Sequence, residues 1–232
     1  MQISKDWEII DLALWNPKEN VLVISDLHIG YEEYLQQKGM FLPKLQVEQI
    51  LKRLTQILER VQPKLLIING DLKHEFGRVL RQEWKEVSNL IDFILKKVPE
   101  LILIKGNHDL ILGPIAEKKG VKVVKEYILN ETTIVHGHQL IVTKAKKIII
   151  GHEHPAISLK EKSKIEKYKC FLKGKWKNKE LIVMPSFNPL WEGTDIIREQ
   201  LLSPFLENIS NFELFVVGKE EVFDFGKVKE LK

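Results

Sequence analysis

Cysteine is nearly absent: Cys170 is the only one in 232 residues, so no internal disulfide can form. That usage suits a reducing compartment. No apolar run approaches the length of a membrane span. Residues 1–11 carry no apolar core of the size a secretion signal needs. These absences predict a soluble, cytoplasmic protein without a membrane partner. No Pro/Ser/Gly-rich linker, repeat or low-complexity tract interrupts the chain, which predicts one domain over residues 1–232. Arginine is scarce as well, with only five among the 36 basic residues. Histidine is missing from the first 27 residues and the last 78. With no histidine in its part of the chain, Cys170 reads as a small half-buried side chain and not as a nucleophile.

What is present is first a large apolar fraction, 44%, enough for a proper core. Net charge is +4, with lysine clusters at 144–147, 160–169 and 173–179. A mildly basic surface is compatible with phosphate-bearing partners. Few aromatics interleave with those lysines, apart from Tyr168, Phe171 and Trp176, so a solvated Lys/Glu surface is the plainer account.

Short, β-branched apolar runs at 21–25, 64–69, 101–104, 132–135 and 147–150 read as buried strands. Between the first three lie two amphipathic stripes. Val47, Ile50, Leu51, Leu54, Ile57, Leu58 and Val61 form one; Trp84, Val87, Ile91, Ile94 and Val98 form the other. Pro43 is expected to open the first helix and Pro63 to close it. Beyond residue 120 strand-like segments follow one another, ending in a hairpin through Gly218. The expected fold is α/β: two stacked mixed β-sheets flanked by helices.

All seven histidines fall between His28 and His154. They sit in Asp26-Leu27-His28, in Gly70-Asp71 with His74, in Gly106-Asn107-His108-Asp109, in His136-Gly137-His138 and in Gly151-His152-Glu153-His154. Each motif follows a predicted strand, where loops of an open α/β sheet converge on a site. The donors are oxygen and nitrogen without thiolate, which suits Mn²⁺, Fe²⁺, Zn²⁺ or Ni²⁺. Their number exceeds what one tetrahedral ion can use and suits two ions sharing a carboxylate. Two divalent ions about 3.5–4 Å apart lower the pKa of a bridging water and provide hydroxide near neutral pH.

The ordered series DLHIG, GD, GNHD, HGH and GHEH resembles the calcineurin-like metallophosphoesterase superfamily over roughly residues 21–160. Softer matches extend the likeness to the SbcD-related archaeal and ligase-associated (PdeM-type) phosphoesterases. These are KGMFLP, GDLKHE, GHEHPA and MPSFNP. The resemblance implies an α/β/β/α sandwich. It implies that Asp26, His28 and His154 bind one metal, that Asn107, His136 and His152 bind a second, and that Asp71 bridges both. It makes His108 the catalytic histidine at the leaving group, with Asp109 orienting it. His74 and His138 are left as candidate substrate contacts.

The function so implied is hydrolysis of a phosphodiester by metal-bridged hydroxide, on a nucleic-acid end or on a cyclic or small nucleotide. A link to DNA repair is expected, with manganese as first metal. A chain of this length leaves no room for the separate capping domain of the large repair nucleases. The alternatives are a phosphomonoesterase or nucleotide hydrolase of the same superfamily, or a scaffold without activity. The loop at 185–191 carries Trp191, expected either to close a sheet edge, to cover the site, or to meet a second copy in a homodimer.

Overall fold

The computed structural model describes residues 1–40, 43–74, 81–109, 112–161 and 164–231. Phe41, Leu42 and Glu75 of the extended motifs, and Lys162 of one basic cluster, lie outside the described residues. The chain opens with a meander of short strands, β1 (Gln2–Ser4), β2 (Trp7–Ile10) and β3 (Ala13–Asn16), leading into β4 (Val21–Ser25). Asp11 and Asn20 turn the chain between them with φ of 54° and 60°, a conformation short Asp and Asn side chains tolerate. Helix α1 (Tyr31–Gln37) and the longer α2 (Gln46–Val61) follow, then β5 (Leu65–Asn69), α3 (Arg81–Leu95), β6 (Glu100–Ile104), α4 (Gly113–Lys118) and β7 (Lys122–Val124). The first sheet runs in the order β1 to β7. It is antiparallel up to β4 and parallel from β4 onward.

The parallel strands are apolar throughout because both faces are buried. Leu22 and Ile24 of β4, with Leu66, Ile68, Leu101 and Leu103, pack on α2 and α3 through Ile50, Leu54, Ile57, Ile91 and Ile94. The alternate residues Val21, Val23, Leu65, Ile67, Ile102 and Ile104 face the second sheet, as the two-residue period of a strand requires. Gln62, at φ 45°, ends α2 one residue before Pro63. The helix starts at Gln46, three residues after Pro43.

The second sheet consists of β8 (Glu126–Leu129), β9 (Thr132–Val135), β10 (Lys147–Ile150), β11 (Pro155–Glu161), β12 (Lys164–Trp176), β13 (Lys179–Val183), β14 (Thr194–Asp195), β15 (Glu213–Val217) and β16 (Val222–Lys227). Its path is β14-β11-β12-β13-β10-β9-β8, with β15 and β16 branching from β12. Strands β9, β10 and β13 are mutually parallel. Strand β12 pairs with β11 along its first half and lies between β13 and β15 along its second. Ile134, Ile149, Phe171 and Ile182 fill the space between the sheets. The outer face is covered by Ile196, Phe205, Leu206, Ile209 and Phe212 of the irregular chain before β15, and by a short 3₁₀ turn at Val228–Leu231. The architecture is α/β with two stacked mixed sheets. Among the described residues, no helix is long and apolar enough to cross a membrane. Cys170 is fully buried and its thiol is pushed well above its usual pKa by that burial.

Candidate metal centre

Five parallel strands end along one edge, and each delivers one motif. Strand β4 leads into Asp26 and His28, β5 into Asp71, β6 into Asn107–Asp109, β9 into His136, and β10 into His152 and His154. The loops after β4 and β5 continue side by side past the sheet. His28 N donates to the Asp71 carbonyl (2.9 Å), Ile29 N to that of Leu72 (2.9 Å), and His74 N to that of Ile29 (2.9 Å). In the second sheet Gly151 N donates to the His136 carbonyl (2.9 Å).

The backbone there is strained. Asp26, His28, Asp71, His152 and His154 have φ of 55°, 45°, 41°, 63° and 51°. Left-handed backbone costs a non-glycine residue about 1–2 kcal/mol, and persists where surrounding bonds over-determine it. Each such residue turns the chain sharply. In this way Asp26 and His28 reach a common point from alternate positions, while His154 joins them and His152 turns to Asp71 and His136.

The side chains meet in one cluster. Ligating atoms lie within 4.8 Å of one another in three groups: Asp26, His28 and His154; Asp71, His136 and His152; His28, His74 and His108. Asp71 Oδ2 is 3.3 Å from His136 Nε2 and 3.9 Å from Nε2 of both His28 and His108. Asn107 Oδ1 is 2.9 Å from His136 Nε2. Asp26 Oδ1 is 3.3 Å from His154 Nε2 and 3.4 Å from His136 Nδ1. That oxygen is buried and accepts no hydrogen bond, although a buried carboxylate oxygen ordinarily has a partner. A cation shared with the flanking imidazoles is what such an oxygen lacks, so the donor set fits divalent metal. His138 lies one ring further out, 5.2 Å from His136 and 6.0 Å from His152 between centroids.

Asp109 does something different from the rest. Its carboxylate accepts from the backbone N–H groups of Gly106 (3.0 Å), Leu72 (3.3 Å) and Lys73 (3.3 Å). It therefore locks the loop after β6 onto the loop after β5. The ring of His108 is met at Nδ1 by the carbonyl of His74. A carbonyl only accepts, so Nδ1 carries the proton, and Nε2 is the atom on the side of Asp71.

Charge and burial divide the titrating groups. Burial alone would raise Asp26, but His154 and His136 overcome it and hold the carboxyl below its usual range. Asp71 is likewise held well down, burial being outweighed by its hydrogen bond to His136 and by the charges of His136 and His28. Burial opposes protonation of His136, yet the hydrogen bond to Asp71 and the charges of Asp26 and Asp71 raise it to about 9. His152 and His74 fall to about 4, first through burial and then through His136 and His108 respectively. His108 is lowered by burial, partly restored by Asp71 and the His74 carbonyl. Burial and the nearby charge of Asp71 lift Asp109 to about 7.

In metal-free protein the cluster thus holds a proton on His136 that a metal must displace. Mn²⁺ affinity measured by calorimetry is expected to rise about tenfold per pH unit between about pH 7 and 8.5. The sign follows because His136 keeps its proton up to about 9. A flat profile would show that this imidazole does not compete with metal.

Glycine is required where two loops touch. A Cβ on Gly106 would fall on the backbone nitrogen and carboxylate of Asp71. Gly106→Ala is expected to lose about 1–3 kcal/mol in denaturant unfolding, with metal content reduced; unchanged stability and metal would mean the two loops have slack.

Several supporting residues carry no motif. Gln46 Nε2 donates to the His28 carbonyl (2.8 Å), and Glu32 accepts from Leu45 N (2.7 Å), capping α2 from outside it. Their signal is faint but real: Gln46 is a polar residue on the buried face of an apolar stripe. Ser186 Oγ donates to the Asp26 carbonyl (2.7 Å) and Phe187 N to that of Ser25 (2.8 Å). This places the loop after β13, and with it Trp191, against the site. The Trp191 ring stacks on His28 at 5.3 Å and 17°. Of the three expectations for Trp191, contact with the site is the one observed.

Residues 19–218 match the calcineurin-like phosphoesterase family. No curated protein matches the chain significantly. Among solved structures, a nuclease, MPE, from Pseudomonas putida superposes with a TM-score of 0.68 at 22% identity, covering 94% of this chain and 100% of that one. A phosphoesterase from E. coli, Yfce, covers 90% of this chain and 97% of its own, at 14% identity and a TM-score of 0.42. With its ligand-rich strand ends and a family match over most of its length, the chain belongs to the calcineurin-like phosphoesterases, hydrolases of phosphate esters that use divalent metals.

Proposed function

We propose that the chain is a two-metal phosphodiesterase. Asp26, His28 and His154 would hold one divalent cation, Asn107, His136 and His152 the other, and Asp71 would serve both. The observation that carries this reading is the pair of adjoining three-residue donor groups, one of them containing the unbonded Oδ1 of Asp26. Manganese is the metal of first choice, with iron, nickel and zinc also suited to carboxylate, amide and imidazole donors. When bound, the pair supplies a hydroxide-like nucleophile near neutral pH and neutralises phosphate oxygens.

The protein's own groups do the rest. His108 presents Nε2 toward the reacting phosphate while the His74 carbonyl fixes its ring. An anionic substrate beside it offsets the effect of burial and lets it carry a proton to the leaving oxygen. Asp109 is a positioning residue, setting His108 through the loop it ties down. His74, beside His108, and His138, beside His136, would contact the substrate.

A diester in a nucleic-acid end, or in a cyclic or small nucleotide, is supported by the motif likeness to the SbcD-related and PdeM-type phosphoesterases. The name of the Pseudomonas putida neighbour, a nuclease, points the same way, and a role in DNA repair would follow. The reading takes residues 1–232 as one catalytic domain. With Mn²⁺, bis-p-nitrophenyl phosphate is expected to be hydrolysed faster than p-nitrophenyl phosphate. Faster mono-ester cleavage would make the chain a phosphomonoesterase.

A further inference from the structure

Several large aromatic side chains of this protein are core residues: Trp7, Phe171 and Phe187 are fully buried. Three rings beside the metal centre are not. Tyr34 is 36% exposed, and Tyr31 and Trp191 are half-buried. They touch one another in series: Tyr34 and Tyr31 stack at 6.1 Å between centroids and 19°, and Tyr31 meets Trp191 at 4.8 Å and 50°. The series adjoins the cluster itself. Trp191 lies on His28 and 5.5 Å from His154, while both tyrosines reach His74, at 4.9 and 4.8 Å.

This wall is held in place. The loop bearing Trp191 is fixed to the end of β4 by Ser186 and Phe187, and its Ser186 and Asn188 carbonyls accept from Lys169 Nζ. Tyr31 and Tyr34 stand on α1, whose Glu32 is bonded to the start of α2. Rigid, partly exposed rings next to a phosphate-binding centre offer π-faces at low entropic cost. Charge is arranged to match. Lys38 Nζ lies 5.6 Å from the Tyr34 centroid, at the outer end of the series. The exposed Glu192 follows Trp191 in the chain, and its charge helps, after burial and Tyr34, to raise the Tyr31 hydroxyl pKa. An anionic strand would run from the metal centre toward Lys38 and away from Glu192.

We propose that Tyr31, Tyr34 and Trp191 form a stacking platform for an unpaired nucleobase next to the scissile phosphate. The inference rests on the phosphodiesterase reading and names its substrate as single-stranded nucleic acid or a frayed strand end. A base inside a duplex has both faces covered by its neighbours and cannot use such a platform.

The test compares a ten-residue oligothymidylate with an abasic oligomer of equal length, with Mn²⁺. Stacking of about 1–3 kcal/mol per base predicts a KM at least about fivefold lower for the thymidylate in the unaltered protein. The ratio of the two KM values is expected to fall to about two or less in Tyr34→Ala and in Trp191→Ala, and to survive in Trp191→Phe. Because the ratio is taken within one variant, general damage to folding or metal binding cancels. Equilibrium binding of both oligomers to the full chain in EDTA should give the same order without turnover.

Equal KM and equal binding of the two oligomers overturn the platform even if both are cleaved. A ratio that persists in both alanine variants overturns it too. Failure to cleave either oligomer, with rapid mono-ester hydrolysis, overturns the diesterase reading instead. The EDTA binding ratio then decides the platform by itself.

Discussion

Asp71→Asn is expected to lower kcat/KM by about three orders of magnitude and to reduce bound metal, as read by metal analysis of the purified protein. The carboxylate sits 3.3 Å from Nε2 of His136 and 3.9 Å from Nε2 of His28 and His108, so three imidazoles face one anion. Its Oδ1 also accepts from His108 N (2.9 Å), which fixes the loop that brings the catalytic candidate in. An amide keeps the shape and removes the charge. Loss of one member of a buried charged set costs about 3–5 kcal/mol, and each decade of rate is worth about 1.4 kcal/mol. The effect on His136 gives an internal check. Without Asp71 its pKa should drop from about 9 toward ordinary values, since the hydrogen bond and charge of Asp71 are leading causes of its rise. A variant that retains both ions and most activity would show that Asp71 is not shared.

His108→Ala should separate chemistry from metal binding. Turnover is expected to fall about 10²- to 10⁴-fold, the usual contribution of a positioned general acid, with metal content unchanged. The reason lies in its surroundings: Nδ1 is engaged by the His74 carbonyl, and Nε2 alone faces the cluster from a side chain 15% exposed. A proton delivered to the leaving oxygen matters most when that oxygen is basic. The loss should therefore be largest for an alkoxide-leaving nucleotide diester and smallest for a nitrophenolate. An equal loss for both leaving groups would assign His108 to binding or positioning.

The sequence was most legible where one interaction dominates. Runs such as 65–69 and 147–150 are apolar on both faces, and they became buried parallel strands. The stripes of α2 and α3 have a single buried face and were equally plain. The histidine motifs declared the site because imidazole and carboxylate at strand ends serve little else. The meander β1–β3 was not visible, since strands of three or four residues broken by Asp6, Asp11 and Asn20 have no periodicity to detect. Short helices α1 and α4 escaped for the same reason. The supports of the site were hidden by a different cause. Glu32, Gln46 and Ser186 act through backbone groups distant in sequence, and a side chain bonding a far carbonyl leaves no local pattern. Trp191 is intermediate: an aromatic in a loop draws notice, but only the anchoring of Ser186 and Phe187 on β4 decides what it faces.

Two of the three candidate donor groups are drawn from both sheets. Asp26 and His28 come from the first and His154 from the second; Asp71 comes from the first and His136 and His152 from the second. A cation in either of these two groups would be a rivet across the seam between the layers, joining strand ends of both sheets. Ligand that binds only the folded state stabilises it by mass action. Here that gain would act on the boundary between the two sheets. Occupied by metal, the cluster would in this sense be a mechanical joint of the sandwich as much as its workshop.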